Sequence, residues 1–325
     1  MMEKTAEFYF GLFKKAGVII WKQKVLWIFG VFAGLIGSGT LFGTGIKGIH
    51  LFKWIHQWTK DLLISSEPFL FLKHLPFFPS LFHPLPIEGV FLFILLFSLF
   101  LFLVSLISQA SLILGIKNGS NSLSFLWKKG LPFFVPLFEI QLFTKLPILI
   151  LFFTTIPFLL LLELSINPQR LLILFVLLSG FFLMVFIFEL IGLFSTFFAI
   201  EENLSPPQAF HKSVLFLKKH TLATLEFALI IFLISLIAGL GLILIIFLIS
   251  IPFLLGFFLW SFSSPEISTF IIFLWILIEI ILTLIAAGFF TSYCYASWKL
   301  FLVDMNKPSF LSKLFISLFY RKKST

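Results

Sequence analysis

The chain has 325 residues, of which 60% are hydrophobic, 19% are aromatic (50 are Phe) and only 11% are charged, with a formal net charge of +9. Soluble domains average about 45–50% apolar and about 25% charged residues, so this composition excludes a water-soluble globule, which would lack the polar surface to cover itself. The positive charge falls in short stretches between apolar runs, which suits orientation in a membrane and contact with anionic lipid head groups rather than nucleic acid.

A helix needs about 20 apolar residues to cross a hydrocarbon core about 30 Å thick. Six runs meet that length, at approximately 25–46, 89–116, 146–164, 171–200, 222–251 and 267–298. None alternates apolar with polar residues as the strands of a closed barrel would, and backbone amides in lipid must be satisfied within the segment. The expected fold is all-α: a polytopic transmembrane helical bundle of about six spans with interfacial amphipathic helices, forming one integral membrane domain.

Before the first span, Phe8, Leu12 and Phe13 precede Lys14 in a segment expected to lie as a helix on the membrane surface. The span itself follows about two dozen residues of mixed charge with no small-x-small cleavage site, so it reads as a retained anchor. It carries Gly30-x-x-x-Gly34 and Gly39-x-x-x-Gly43, small residues at the spacing that lets two helices approach closely. The outer loop, 47–88, opens with a helical pattern over 48–63: Leu51, Phe52, Ile55, Trp58 and Leu62 share one face, as an interfacial helix requires. Its second half is broken by five prolines between Pro68 and Pro86 and is expected to be an irregular apolar piece.

Span two has a polar stripe, Ser98, Ser105, Ser108 and Gln109, explained most simply by hydrogen-bonded helix packing. Lys145 stands at the margin of span three, and Glu189 near the middle of span four, with Gly192, Thr196 and Ala199 on its helical face. The connection that follows has Ser205 as N-cap and Pro206 at the first helical position of a surface helix over 206–220, with Phe210, Val214 and Leu217 as its apolar face. In the apolar stretch 222–262 a turn at Gly239-Leu240-Gly241 would split the run into two short spans. One span is preferred, with 252–262 as an aromatic re-entry before the Ser263–Pro265 turn. Span six carries Glu279 at a depth comparable to Glu189, with Thr283, Ala286 and Phe290 on its face. A last amphipathic segment, 308–320, ends in basic residues suited to anionic lipid.

Six spans put seventeen basic residues on one side and five on the other, with Lys145 at the margin. An odd number would send the basic C-terminus outward, so the positive-inside tendency places both termini in the cytoplasm; that the membrane is a bacterial inner membrane is what the resemblance given next implies.

Three stretches, IIWKQKVLWIFGVFAGL, SQASLILGIKNGS and FFAIEENLSPPQAFHKSVLFLKKH, resemble those of uncharacterised bacterial six-span proteins similar to the membrane domain attached to some glycerophosphodiester phosphodiesterases. The resemblance implies a six-helix membrane domain. The catalytic barrel of those phosphodiesterases, with its acidic metal ligands, has no counterpart in the chain, so no catalytic residue carries over.

Mid-membrane charges cost about 2.5–3.5 kcal/mol on insertion scales, which makes Glu189 and Glu279 the first candidates for function. Together with Gln109 and Ser105 they form the candidate intramembrane polar site. Two carboxyls in low dielectric can share a proton and serve transport; the simpler reading is that each is protonated and hydrogen-bonded to a neighbouring helix, because no Lys or Arg stands at matching depth. The outer-loop histidines His50, His56, His74 and His83 share no helical turn and have no Cys or acidic cluster beside them, so no metal is expected. The single cysteine, Cys294, allows no internal disulfide. No serine-hydrolase elbow, HExxH or phosphate loop is present, and no cofactor is expected. The expected role is therefore non-enzymatic: an accessory or scaffold domain that packs with other membrane proteins or modulates the bilayer. The competing expectation is a small-molecule or ion transporter using the mid-membrane glutamates.

Overall fold

The computed structural model describes residues 2–36, 87–163, 168–260 and 265–305. All of the regular structure among these is helical: α1 (Met2–Lys22), α2 (Val25–Ile36), α3 (Ile87–Asn118), α4 (Leu123–Gly130), a 3-10 turn (Leu131–Phe133), α5 (Phe134–Glu163), α6 (Pro168–Glu202), α7 (Pro206–Lys219), α8 (Thr221–Trp260) and α9 (Pro265–Met305). Five of the helices are long and apolar enough to cross a membrane, or six crossings if the bent pair α1–α2 is one broken span. The expected surface helices at 48–63 and 308–320, and Gly39 and Gly43, lie outside the described residues.

Local sequence sets where the helices stop. Gly119 (φ +66°) ends α3 and Asn203 (φ 55°) ends α6, both in the left-handed conformation that closes a helix C-terminus. Ser122 caps α4 by accepting from the Phe125 N–H at 3.4 Å. Ahead of α7, the N–H of Ser205 donates to Gln208 Oε1 at 3.3 Å, with Pro206 at the first position.

Burial is concentrated at one end of the bundle. Residues 108–116 of α3 and 189–200 of α6 are buried without interruption, and most of 291–302 in α9 is buried too. The far halves expose their apolar side chains, as lipid-facing helices do. Trp298 sits at the centre of the buried end, edge-on to Phe194 (5.6 Å) and Phe227 (4.8 Å), and Phe227 stacks on Phe301 at 4.4 Å. The exposed lysines of α1, α4 and α7 gather around this end, which we call the basic end.

The expected Gly30-x-x-x-Gly34 contact is made against α9. A Cβ on Gly30 would collide with the Gly288 carbonyl and Ser292 Oγ, and one on Gly288 with the Trp27 carbonyl. Backbones that close allow Ser292 Oγ to donate to the Leu26 carbonyl at 2.7 Å.

The N-terminal helix turns by 110° into α2 and packs against α8 and α9, burying Tyr9, Leu12, Ala16 and Ile20. Three expectations are corrected. Span three begins at Phe134, not 146, and is preceded by α4, because prolines at the start of a helix remove donors that had no partner anyway. The fifth span is a single helix through Gly239–Gly241 and Pro252 as far as Trp260, so 252–260 is no re-entry. At about 1.5 Å per residue, α8 and α9 each reach about 60 Å, twice the hydrocarbon thickness. Finally, α7 turns Ala209, Ser213 and Phe216 to the bundle, with Phe210, Val214 and Leu217 only flanking; small residues let it approach α6, where Ser195 Oγ donates to Ser213 Oγ at 2.9 Å.

Candidate functional site

Mid-helix polar residues meet where α5 lies between α3 and α6. Gln109 and Gln141 are both buried, and Gln141 Nε2 donates to Gln109 Oε1 at 3.3 Å, tying α3 to α5. One turn along α5, Lys145 forms an ion pair with Glu189 of α6. Close approach of α5 and α6 is possible because Gly192, one turn from Glu189, faces Thr144: a Cβ there would stand 3.2 Å from Thr144 Oγ1. The Thr144 hydroxyl donates back along its own helix to the Ile140 carbonyl at 2.9 Å, and Thr196 to Gly192 at 2.9 Å, as hydroxyls in apolar helices do. Ser105 is one turn from Gln109 on α3, fully buried, with Ser108 beside it.

Of the candidate residues, Ser105, Gln109 and Glu189 therefore belong to one neighbourhood. Glu279 does not join them. It lies between α8 and α9, where Ser250 Oγ and Trp275 Nε1 both donate to its Oε1 at 2.6 Å. Of the residues expected on its face, Thr283 is exposed while Ala286 and Phe290 are half-buried, Phe290 against the core. The two carboxyls have separate partners on separate helix pairs, so they do not form the proton-sharing pair considered from the sequence.

For Glu189, Lys145 overturns the expectation that no basic residue stands at matching depth. It interrupts the apolar run and so marked the edge of a span, but the helix begins 11 residues earlier. Two polar contacts one turn apart on α5 thus tie three helices together, Gln109–Gln141 to α3 and Lys145–Glu189 to α6.

A second polar layer closes the basic end. Lys299, counted from the sequence only as one of the basic residues on the inner side, is buried: its Nζ lies 3.1 Å from Glu201 Oε1 and donates to the Ile113 carbonyl at 3.1 Å. Lys212 of α7 pairs with Glu202 and sits 4.9 Å over the Phe198 ring. His220, at the junction of α7 and α8, is held below the ordinary 6.5 by burial and then by the neighbouring Lys219.

Among the described residues no group of three or more His, Cys, Asp or Glu side chains is placed to hold a metal ion. No family model, curated protein or solved structure matches the chain.

Proposed function

We propose that this is a non-enzymatic multi-pass protein of the bacterial cytoplasmic membrane, with both termini in the cytoplasm, acting as an accessory domain that organises the adjoining bilayer. The observation that carries this reading is a basic collar. The exposed residues Lys14, Lys15 and Lys22 of α1, Lys128 and Lys129 of α4, and Lys218 and Lys219 of α7 surround the packed end of the bundle. Phe10, Val18 and Trp21 on α1 and Leu123 and Phe125 on α4 are exposed among them. Apolar side chains interleaved with lysines suit an interface with anionic lipid, each lysine near such a surface contributing about 1 kcal/mol. The resemblance to membrane domains attached to larger enzymes agrees with an accessory role. Thermal unfolding in nanodiscs tests it: phosphatidylglycerol should raise the melting temperature over phosphatidylcholine alone, and neutralising Lys14, Lys15, Lys128 and Lys129 should remove the difference. Equal melting temperatures in both lipids would sink the reading.

A second reading, a permease for a small solute, is favoured by the polar contacts that α3, α5 and α6 place in mid-bundle. Intramembrane ionisable groups are costly and tend to serve function. Solute flux into proteoliposomes, compared with protein-free vesicles, separates it from the first.

A further inference from the structure

Seven buried side-chain atoms of the described residues have no hydrogen-bond partner. Two of them, Gln23 Oε1 at the α1–α2 elbow and Thr224 Oγ1 on α8, lie apart from the polar centre. The other five, Ser105 Oγ, Ser108 Oγ, Gln109 Nε2, Gln141 Oε1 and Glu189 Oε2, lie on α3, α5 and α6, the three helices that the Gln109–Gln141 and Lys145–Glu189 contacts join. Native interiors leave few such groups unpaired, and in lipid no bulk water is at hand to pair them, so a cluster of five calls for an occupant.

The chemistry of the five atoms restricts that occupant. Lys145 and Glu189 neutralise one another. A ligand with net charge would sit uncompensated in low dielectric, so the ligand carries none. Gln109 Nε2 is a donor, Gln141 Oε1 and Glu189 Oε2 are acceptors, and the two hydroxyls can be either. Reversing both amides leaves the same one donor and one acceptor free, so either assignment offers a ligand the same groups. The Gln109–Gln141 and Lys145–Glu189 contacts are one helical turn apart, about 5.4 Å, which limits the ligand to a few heavy atoms.

We propose that the centre formed by Ser105, Ser108, Gln109, Gln141 and Glu189 binds a small net-neutral solute that carries both hydrogen-bond donors and acceptors, a polyol or a zwitterion. Such a site serves a permease as a transit point and an accessory domain as a structural ligand site, so it stands independently of either reading of function.

Equilibrium binding of tritiated glycerol and tritiated glycine to the full-length protein in nanodiscs tests the proposal, with radiolabelled acetate and sodium as charged probes. One neutral probe should bind saturably, glycerol indicating a polyol and glycine a zwitterion, while both charged probes stay at background. The double variant Gln109→Leu/Gln141→Leu replaces a buried amide pair by apolar side chains of similar size. It should keep or raise the melting temperature while weakening binding at least about tenfold, the loss expected for two hydrogen bonds. Glu279→Gln, on the separate helix pair, should bind like the native protein. Saturation by neither neutral probe, as when water alone fills the centre, overturns the proposal. So does saturable binding of a charged probe, or native affinity in the folded double variant.

Discussion

Gly30 and Gly288 meet backbone to backbone where α2 crosses α9, with no room for a Cβ on either: the first would strike the Gly288 carbonyl and the second the Trp27 carbonyl. Neither obstacle is a flexible side chain that can swing away. Gly30→Ala and Gly288→Ala should each destabilise the bundle by about 1–3 kcal/mol, the range for overpacking a close-packed interior. Gly34→Ala should cost less, because its Cβ would stand 3.0 Å from the Thr291 hydroxyl, which can rotate. Unfolding midpoints in a fixed detergent should order the variants in this way.

The Lys299–Glu201 pair should behave as a buried ion pair whose halves are worth more together than apart. Lys299→Met strands Glu201 and removes the donor to the Ile113 carbonyl, and should cost about 3–5 kcal/mol. Adding Glu201→Leu to it should restore much of the loss, because a stranded charge is worse than an apolar pair. A double-mutant cycle of unfolding free energies gives the coupling, and additive effects of the two substitutions would contradict the pairing.

His220 gives the fold a pH dependence with a definite sign. Its folded pKa lies below the unfolded value near 6.5, so near that pH the unfolded chain binds more protons. The stabilising contribution of the neutral ring is therefore complete above about pH 6.5, is lost as the pH falls through that value, and levels off below the folded pKa. The ring is packed 4.9 Å from that of Phe216, which an imidazolium would have to leave or tolerate. His220→Asn should flatten stability between pH 5 and 7 relative to the native chain, as followed by circular dichroism of thermal unfolding.

Trp275 reports on Glu279. Its indole N–H and the Ser250 hydroxyl share one carboxylate oxygen, so Glu279→Gln retains an acceptor while Glu279→Leu removes it. The leucine variant should shift Trp275 emission and lower stability by about 1–3 kcal/mol, the cost of leaving a buried donor without its acceptor. The glutamine variant should do little of either. With Trp275→Phe as the reference, difference spectra isolate the signal from the other tryptophans.

The uninterrupted runs of α3 and α6 were legible because an apolar stretch of that length has one use. The start of α5 was not, since Pro132, Pro136 and Lys145 all interrupt the hydropathy pattern. The first two fall where a helix tolerates proline, and the third is neutralised by a residue 44 positions away. Hydrophobic periodicity also misses the inward face of α7, because its contact uses Ala209 and Ser213, and closeness there depends on smallness rather than apolarity. Glu189 could be singled out by its depth alone. Its partner could not, because pairing requires the relative height of two helices, which tertiary packing fixes. The same limit hid Lys299: only when the ends of α3, α6 and α9 are brought level does a lysine counted for orientation become an interior charge.

The α2–α9 crossing also sets a schedule for biogenesis. Ser292 and Leu26, joined by a hydrogen bond, are 266 residues apart in the chain. At about 5–20 residues per second of synthesis, α2 waits on the order of 15–50 s in the bilayer before the helix that covers its glycine face has been made. Through that interval its tightest contact surface is open to any other helix with a small-residue face, so closure of the bundle waits on the last helix described.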